Sequence, residues 1–195
     1  MDLLRTGGVR GAGVNAVARQ SGVSKVLIYR YFGDMENLVR AAAERLDLTQ
    51  TGPIDDKYLG KVDAGNFRRM TARAFRDMHE RLLRDEASLR LTAEEVQGRT
   101  PLTDMLAEIR ERQGKAATGR AAALVEQIRG RPAPELDVQA VFAIASAAIY
   151  FLTLRIQTGG MYNGIDLETT EGKDRIFDTL AEMIECVLLG DDRPK

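Results

Sequence analysis

The side chains best suited to chemistry lie within one short segment of the 195-residue chain. Lys25 and Arg30 supply positively charged donors, and Tyr29 and Tyr31 supply aromatic rings with hydroxyl groups. Such donors bind phosphate oxygens, and polar side chains together with apolar ones such as Val26 can read the edges of base pairs. The segment therefore predicts a surface that contacts nucleic acid.

Catalytic chemistry has little support elsewhere in the chain. The sequence contains one histidine, His79, and one cysteine, Cys186, and neither has a neighbour that suggests a catalytic dyad. The acidic pair at positions 94 and 95 is not followed by a histidine at metal-ligand spacing, and no glycine-rich phosphate loop follows a strand pattern. We therefore expect a protein that is not an enzyme and that has no catalytic residue, metal site or cofactor.

The elements that must position these donors read as two short helices joined by a tight turn. Val14, Val17 and Ala18 recur on one helical face. Gly22 follows where that helix must stop, because glycine accepts the left-handed conformation of many helix ends. Ser24 is a good N-cap for the second helix. The pattern predicts a helix-turn-helix, although the spacing alone also fits an ordinary helical hairpin with a solvated basic face.

The continuation of this segment, GVSKVLIYRYFGDMENLV, favours the helix-turn-helix. It resembles the signature of the tetracycline-repressor-like (TetR) family of bacterial transcriptional regulators, and the resemblance covers residues 14–46. It implies a homodimer that binds a palindromic operator on double-stranded DNA, usually as a repressor, and that is released by a small-molecule effector. The residues implied at base edges are Lys25, Val26, Leu27 and Tyr29, and those implied at phosphates are Arg30 and Tyr31.

Three departures from the family pattern weaken the implied DNA contacts. Residues 3–8 resemble only the last turn of the usual first helix. Either the protein starts upstream of Met1, or the N-terminal domain that carries the helix-turn-helix, here called the head, is less well supported than usual. Gly13 stands where relatives usually carry a hydroxyl, and Met35 stands where they commonly carry a phosphate-binding lysine. These departures favour an alternative, a helical ligand-binding or dimerisation protein whose head has lost specific DNA binding.

The charge distribution separates the N-terminal segment from the rest of the chain. Residues 1–33 carry five basic side chains and one acidic side chain, whereas the whole chain has a net charge of −1. A basic head on a mildly acidic body fits a nucleic-acid-binding head. Because the chain has a single cysteine and no apolar signal segment, we expect a cytoplasmic protein.

Helical periodicity continues to the end of the chain, and no strand-like alternation is evident. We therefore predict an all-α fold with a helix-turn-helix DNA-binding domain at residues 1–48. The remainder, residues 49–195, is expected to form a helical bundle for effector binding and dimerisation. Asp63 is expected to cap the first helix of this body.

The last two predicted helices, at about 137–158 and 173–189, are the most apolar pair. Residues 138–154 form 17 consecutive uncharged positions. This run is at the lower edge of a bilayer span and contains polar residues, so burial between helices or in a subunit interface is the simpler interpretation. One side of the last helix carries Ile176, Leu180, Met183, Ile184 and Val187. The family resemblance and the need for cover both indicate a homodimer through these helices, with no membrane contact.

The implied effector would lie between the body helices, where flexible apolar side chains and the single histidine could line a site. The candidates are Phe67, Met70, Met78, His79, Met105 and Phe142. At helical spacing the same apolar residues also fit plain core packing. His79 also fits a buried or surface histidine with a local partner.

Overall fold

The computed structural model describes residues 13–44 and 61–190. This part of the chain forms eight helices and one two-stranded hairpin, which confirms the predicted all-α class. The helices are α1 Val14–Ser21, α2 Lys25–Phe32, α3 Met35–Ala43, α4 Phe67–Arg84, α5 Glu86–Gln97, α6 Pro101–Arg129, α7 Val138–Ile156 and α8 Thr170–Leu188. The hairpin strands are β1 Met161–Tyr162 and β2 Ile165–Asp166. The predictions for the first helix and for the boundary between head and body lie outside the described residues.

Caps and a glycine set the bounds of the first three helices as predicted. Gly22 ends α1 with a φ of 69°, in the left-handed region. At the start of α2, the Ser24 hydroxyl accepts a hydrogen bond from the backbone N–H of Leu27 at 3.3 Å. At the start of α3, the Asp34 carboxylate accepts one from the backbone N–H of Asn37 at 2.7 Å. Each cap satisfies a backbone donor that the helix itself leaves unpaired.

The start of α4 differs from its prediction. The backbone N–H of Asn66 donates to Asp63 Oδ1 at 3.0 Å, and the backbone N–H of Asp63 donates to Asn66 Oδ1 at 3.0 Å. This reciprocal pair closes a turn, and α4 begins only at Phe67. The Asp63 cap is therefore wrong by one turn, since Asn66 is an equally good capping residue closer to the helix.

The described residues divide into two compact units. The first unit contains α1, α2, α3, α5 and α6 as far as Gln113, and the second contains α4, α6 from Gly114 onward, α7, the hairpin and α8. In the first unit α3 is anchored by a buried cluster formed by Val39, Leu91, Met105, Leu106 and Ile109. Met35 and Ala42 of α3 also pack against this cluster. Helix α5 and the first part of α6 therefore support α3.

In the second unit α4 packs against both α8 and α7. The largest fully buried side chains of α4 are Phe67, Phe75, Met78 and Leu82. Helix α8 turns Phe177, Ala181, Ile184 and Leu188 towards the interior. Burial of this apolar surface is the main source of stability for the unit.

The hairpin between α7 and α8 corrects the prediction that the chain has no strand. Strands β1 and β2 pair antiparallel over two residues each. The connecting residues, Asn163 and Gly164, have φ angles of 48° and 79°. An Asn-Gly pair with positive φ at both positions is the sequence signal for such a turn. The strands are too short for alternation to reveal them.

Gly172 allows α8 to begin close to the end of the hairpin, since a Cβ at this position would collide with the carbonyl oxygen of Asp166. We expect Gly172→Ala to lower the free energy of unfolding by about 1–3 kcal/mol, because the hairpin or the first turn of α8 must move. Gly119→Ala is the matched control. At Gly119, inside α6, no atom of the described residues outside the local helix backbone lies within 4 Å of a Cβ. This substitution should stabilise the protein by about 0.5–1 kcal/mol. Urea denaturation compares the three proteins, and equal effects of the two substitutions would contradict this packing.

Candidate functional site

Helix α2 presents most of its predicted contact residues to solvent. Val26 is 77% exposed, Tyr31 is 71% exposed and Tyr29 is 47% exposed. Lys25 and Arg30 are also exposed. Four of these residues form two pairs at a spacing of four positions, namely Lys25 with Tyr29 and Val26 with Arg30. Residues at this spacing lie on the same side of a helix, so the pairs form two neighbouring rows along α2. We call these four residues the α2 surface.

The opposite side of α2 holds this surface outward. Ile28 is buried, and α2 packs against both α1 and α3. Leu27 is half-buried, so it is the predicted DNA-contacting residue that turns furthest into the head. The guanidinium of Arg30 lies over the ring of Tyr31, with 5.7 Å between its central carbon and the ring centroid. This cation–π contact places a positive charge next to an exposed hydroxyl group.

Helix α3, which follows the α2 surface directly, is also tied to α6 by charged side chains. Arg40 lies 3.7 Å from Glu108, and Glu44 at the end of α3 lies 3.4 Å from Arg112. These pairs are largely exposed, so each contributes at most about 1 kcal/mol. The sequence does not reveal these ion pairs, because no local pattern relates residues so far apart in the chain.

His79 is buried in the second unit, with 3% of its surface exposed. The Thr153 hydroxyl donates to the carbonyl of Ile149 at 2.7 Å, and its oxygen therefore accepts the 2.9 Å hydrogen bond from His79 Nδ1. The imidazole also packs against Phe177, with 5.4 Å between ring centroids. This network assigns the hydrogen of the neutral ring to Nδ1. Among the described residues, His79 Nε2 has no hydrogen-bond partner, although it is fully buried.

Burial, together with the smaller effect of the Lys173 charge, lowers the pKa of His79 from 6.5 to about 4, and the charge of Glu80 partly opposes this shift. The unfolded chain keeps the ordinary pKa, so it binds more protons than the folded protein between these values. We expect His79 to reduce the free energy of unfolding by about 3 kcal/mol as the pH falls from about 7.5 to 4. Chemical denaturation at several pH values checks this against His79→Gln, which should depend less steeply on pH. Parallel curves for the two proteins would contradict it.

The predicted effector-binding residues are divided between the two compact units. Five of them lie on α4 or α7 in the second unit, namely Phe67, Met70, Met78, His79 and Phe142. Met105 instead belongs to the buried cluster of the first unit that anchors α3. Phe67, Met78 and Phe142 are fully buried core residues, whereas Met70 is half-buried. Within residues 13–44 and 61–190, no group of three His, Cys, Asp or Glu side chains could hold a metal ion.

Helix α7 exposes a continuous apolar stripe. Its members recur at helical spacing and are Ala140, Ala143, Ile144, Ala147 and Phe151. By length and composition α7 could cross a membrane, and 28% of its most apolar window is buried within the protein. Much of its apolar surface is thus not covered by the described residues of its own chain.

Helix α8 also exposes apolar side chains. Met183 and Val187 are exposed, and Ile176 and Leu180 are half-buried. The expectation that Ile184 shares this side is wrong, because it faces the interior. The period of the apolar residues identified one stripe, and the structure resolves it into an inner and an outer side. We call the exposed stripes of α7 and α8 the outer apolar face.

The N-terminal segment matches a known family. Residues 1–42 match the sequence model of a family described as bacterial regulatory proteins, tetR family. No curated protein and no solved structure matches the chain. The matched segment includes α1, α2 and nearly all of α3, and therefore the α2 surface. The N-terminal segment is therefore a helix-turn-helix domain of the type found in bacterial regulatory proteins of the tetR family, and this domain supports a DNA-binding regulator.

Proposed function

We propose that the protein is a ligand-responsive repressor that acts in the cytoplasm as a homodimer, binds a palindromic operator and is released by a small-molecule effector. The observation that carries DNA recognition is the α2 surface, which combines exposed donors, an exposed aromatic ring and an exposed apolar side chain. The proposed head spans residues 1–48, and the proposed effector-binding and dimerisation body spans residues 49–195.

The exposed residues of α2 divide into two proposed roles. Base edges are contacted by Lys25, Val26, Leu27 and Tyr29, and phosphates are bound by Arg30 and Tyr31. A lysine can donate to the O6 and N7 acceptors of guanine, and a valine can pack against the methyl group of thymine. Arg30 lies beside the Tyr31 ring, which supports a joint phosphate contact. Both roles require α2 to enter the major groove.

The outer apolar face supports a homodimer through α7 and α8. Exposed apolar stripes of this kind often mark an interaction site. A two-fold dimer buries the same surface of both protomers at once. It would also place two α2 surfaces about one DNA turn, roughly 34 Å, apart, so that the dimer reads two half-sites of a palindrome.

The proposed effector binds among the body helices and lowers operator affinity by moving α3 and changing the separation of the two heads. Such coupling requires the effector to bind the DNA-free state more tightly than the DNA-bound state. The anchoring of α3 by α5 and α6 supports this route, because a helix held by a packed cluster moves together with its supports.

Binding to the DNA upstream of the protein's own gene tests the proposal. Fluorescence anisotropy should show tighter binding to this DNA than to bulk DNA, with an affinity that falls log-linearly as salt is raised. Equal affinity for both DNAs at every salt concentration would contradict specific recognition.

The second candidate function is that of a helical ligand-binding or dimerisation protein whose head has lost specific DNA binding. Gly13 caps α1 without a side-chain hydrogen bond, and Met35 packs against a buried cluster. Neither residue adds a polar group for a phosphate. Specific binding to the upstream DNA that is lost in Tyr29→Ala would reject this candidate.

A further inference from the structure

We propose that His79 Nε2 accepts a hydrogen bond from the effector, and that this effector is a neutral, mainly apolar small molecule with an O–H or N–H donor. The inference deepens the proposed effector response and rests on it. It names the protein atom that contacts the effector and the kind of chemical group on the effector that this atom binds.

The first support is the unequal state of the two ring nitrogens. Nδ1 is committed to Thr153, whose own hydrogen is committed to the carbonyl of Ile149. The two nitrogens of an imidazole point in diverging directions, so Nε2 is directed away from Thr153. In the described part of the chain, this buried acceptor has no partner. A buried polar atom without a partner is costly and calls for an explanation, such as a bound molecule.

The second support is the protonation state of the ring. With its hydrogen on Nδ1, Nε2 offers a lone pair and can only accept a hydrogen bond. Burial keeps the pKa of His79 well below neutrality, so the imidazole stays neutral when an effector would bind. The complementary group on the effector must therefore be a donor, which excludes an ether or a carbonyl as the contacting group.

The third support is the apolar character of the surroundings. Phe75 and Leu82 lie four residues before and three residues after His79, on the same side of α4, and both are fully buried. Phe177 packs against the ring from α8, and Ile149 is buried one turn before Thr153 on α7. These four side chains favour an apolar body for the ligand.

The charges near the ring also favour a neutral ligand. Lys173 and Glu80 influence His79 with opposite signs. A charged ligand buried beside this ring would lose its hydration, which is costly unless a group of opposite charge compensates for it. The donor of the effector is therefore expected to be an alcohol, a phenol or an amide rather than an ammonium group.

The single histidine makes a direct test possible, because ¹⁵N-histidine labelling reports on His79 alone. The probes are 4-propylphenol and its methyl ether, 4-propylanisole, which have similar shapes and differ in the donor. In the free protein the spectrum should show a protonated Nδ1 and an unprotonated Nε2. The phenol should shift the Nε2 resonance in the direction of hydrogen bonding, and the ether should not. An Nε2 resonance that neither probe moves, or that both move equally, overturns the proposal.

Affinity provides a second readout. By calorimetry the phenol should bind on the order of ten-fold more tightly than the ether, and His79→Leu should remove this preference. A preference that persists in a folded His79→Leu protein overturns the proposal. If this variant does not fold, the spectra of the unaltered protein still decide whether His79 Nε2 accepts a hydrogen bond from the phenol. DNA binding by the same preparation without either probe tests the head separately, so failure of the histidine site and failure of DNA recognition are distinguishable.

Discussion

Tyr29→Ala should weaken binding to the preferred DNA site by roughly 10–100-fold while leaving the fold unchanged. Tyr29 lies on the exposed row of α2 beside Lys25, and it is 47% exposed, so its removal opens no core cavity. The loss is expected in specific affinity, because a residue that contacts a base edge contributes little on the wrong sequence. Anisotropy titrations with the preferred site and with a scrambled site measure both affinities.

Tyr31→Ala is the matched control for this experiment. Tyr31 is a second exposed tyrosine of the same helix, and its proposed contact is a phosphate. Its removal should weaken binding to both DNAs by a similar factor, since phosphates carry no sequence information. If Tyr29→Ala weakened both DNAs equally, as expected for Tyr31→Ala, its proposed contact with base edges would be wrong.

Placing charges on the outer apolar face should separate the dimer and abolish tight operator binding. Ile144 on α7 and Val187 on α8 are both exposed in the described chain, so glutamates there are harmless to a single subunit. In a dimer the same glutamates would be buried without partners, which is costly. The double variant Ile144→Glu, Val187→Glu should therefore be monomeric by light scattering. Its operator affinity should fall by roughly 10²-fold or more, because two linked heads no longer bind together.

Val96→Glu is the control for the added charge. Val96 is 85% exposed and lies on α5, in the compact unit that contains neither α7 nor α8. This variant should keep both the oligomeric state and the operator affinity of the unaltered protein. A double variant that remains dimeric, or an unaltered protein that is already monomeric, would contradict the proposed interface.

Local signals were sufficient for the bounds of α1, α2 and α3 and for those of most other described helices. The glycine at position 22 and the caps at Ser24 and Asp34 depend only on residues within a few positions of one another. Their conformations could therefore be predicted from the sequence. The cap of α4 failed for a local reason, because Asp63 and Asn66 compete as N-caps and spacing alone does not rank them.

Long-range partners could not be predicted. Periodicity identified an apolar stripe on α8, but it did not separate the interior position Ile184 from the exposed Met183. The two residues are adjacent in the chain, and only the placement of α4 and α7 decides which one is covered. The same limit applies to His79, since its bond to Thr153 joins two residues on different helices that are 74 positions apart in sequence.

Selection of binding sites from a random-sequence DNA library by the unaltered protein tests most directly whether two α2 surfaces, presented by one dimer, read DNA. We expect enrichment of a pseudo-palindrome whose half-site centres lie about one helical turn, roughly 34 Å, apart. A pool without any enriched sequence, or one that contains only isolated half-sites, would contradict this expectation.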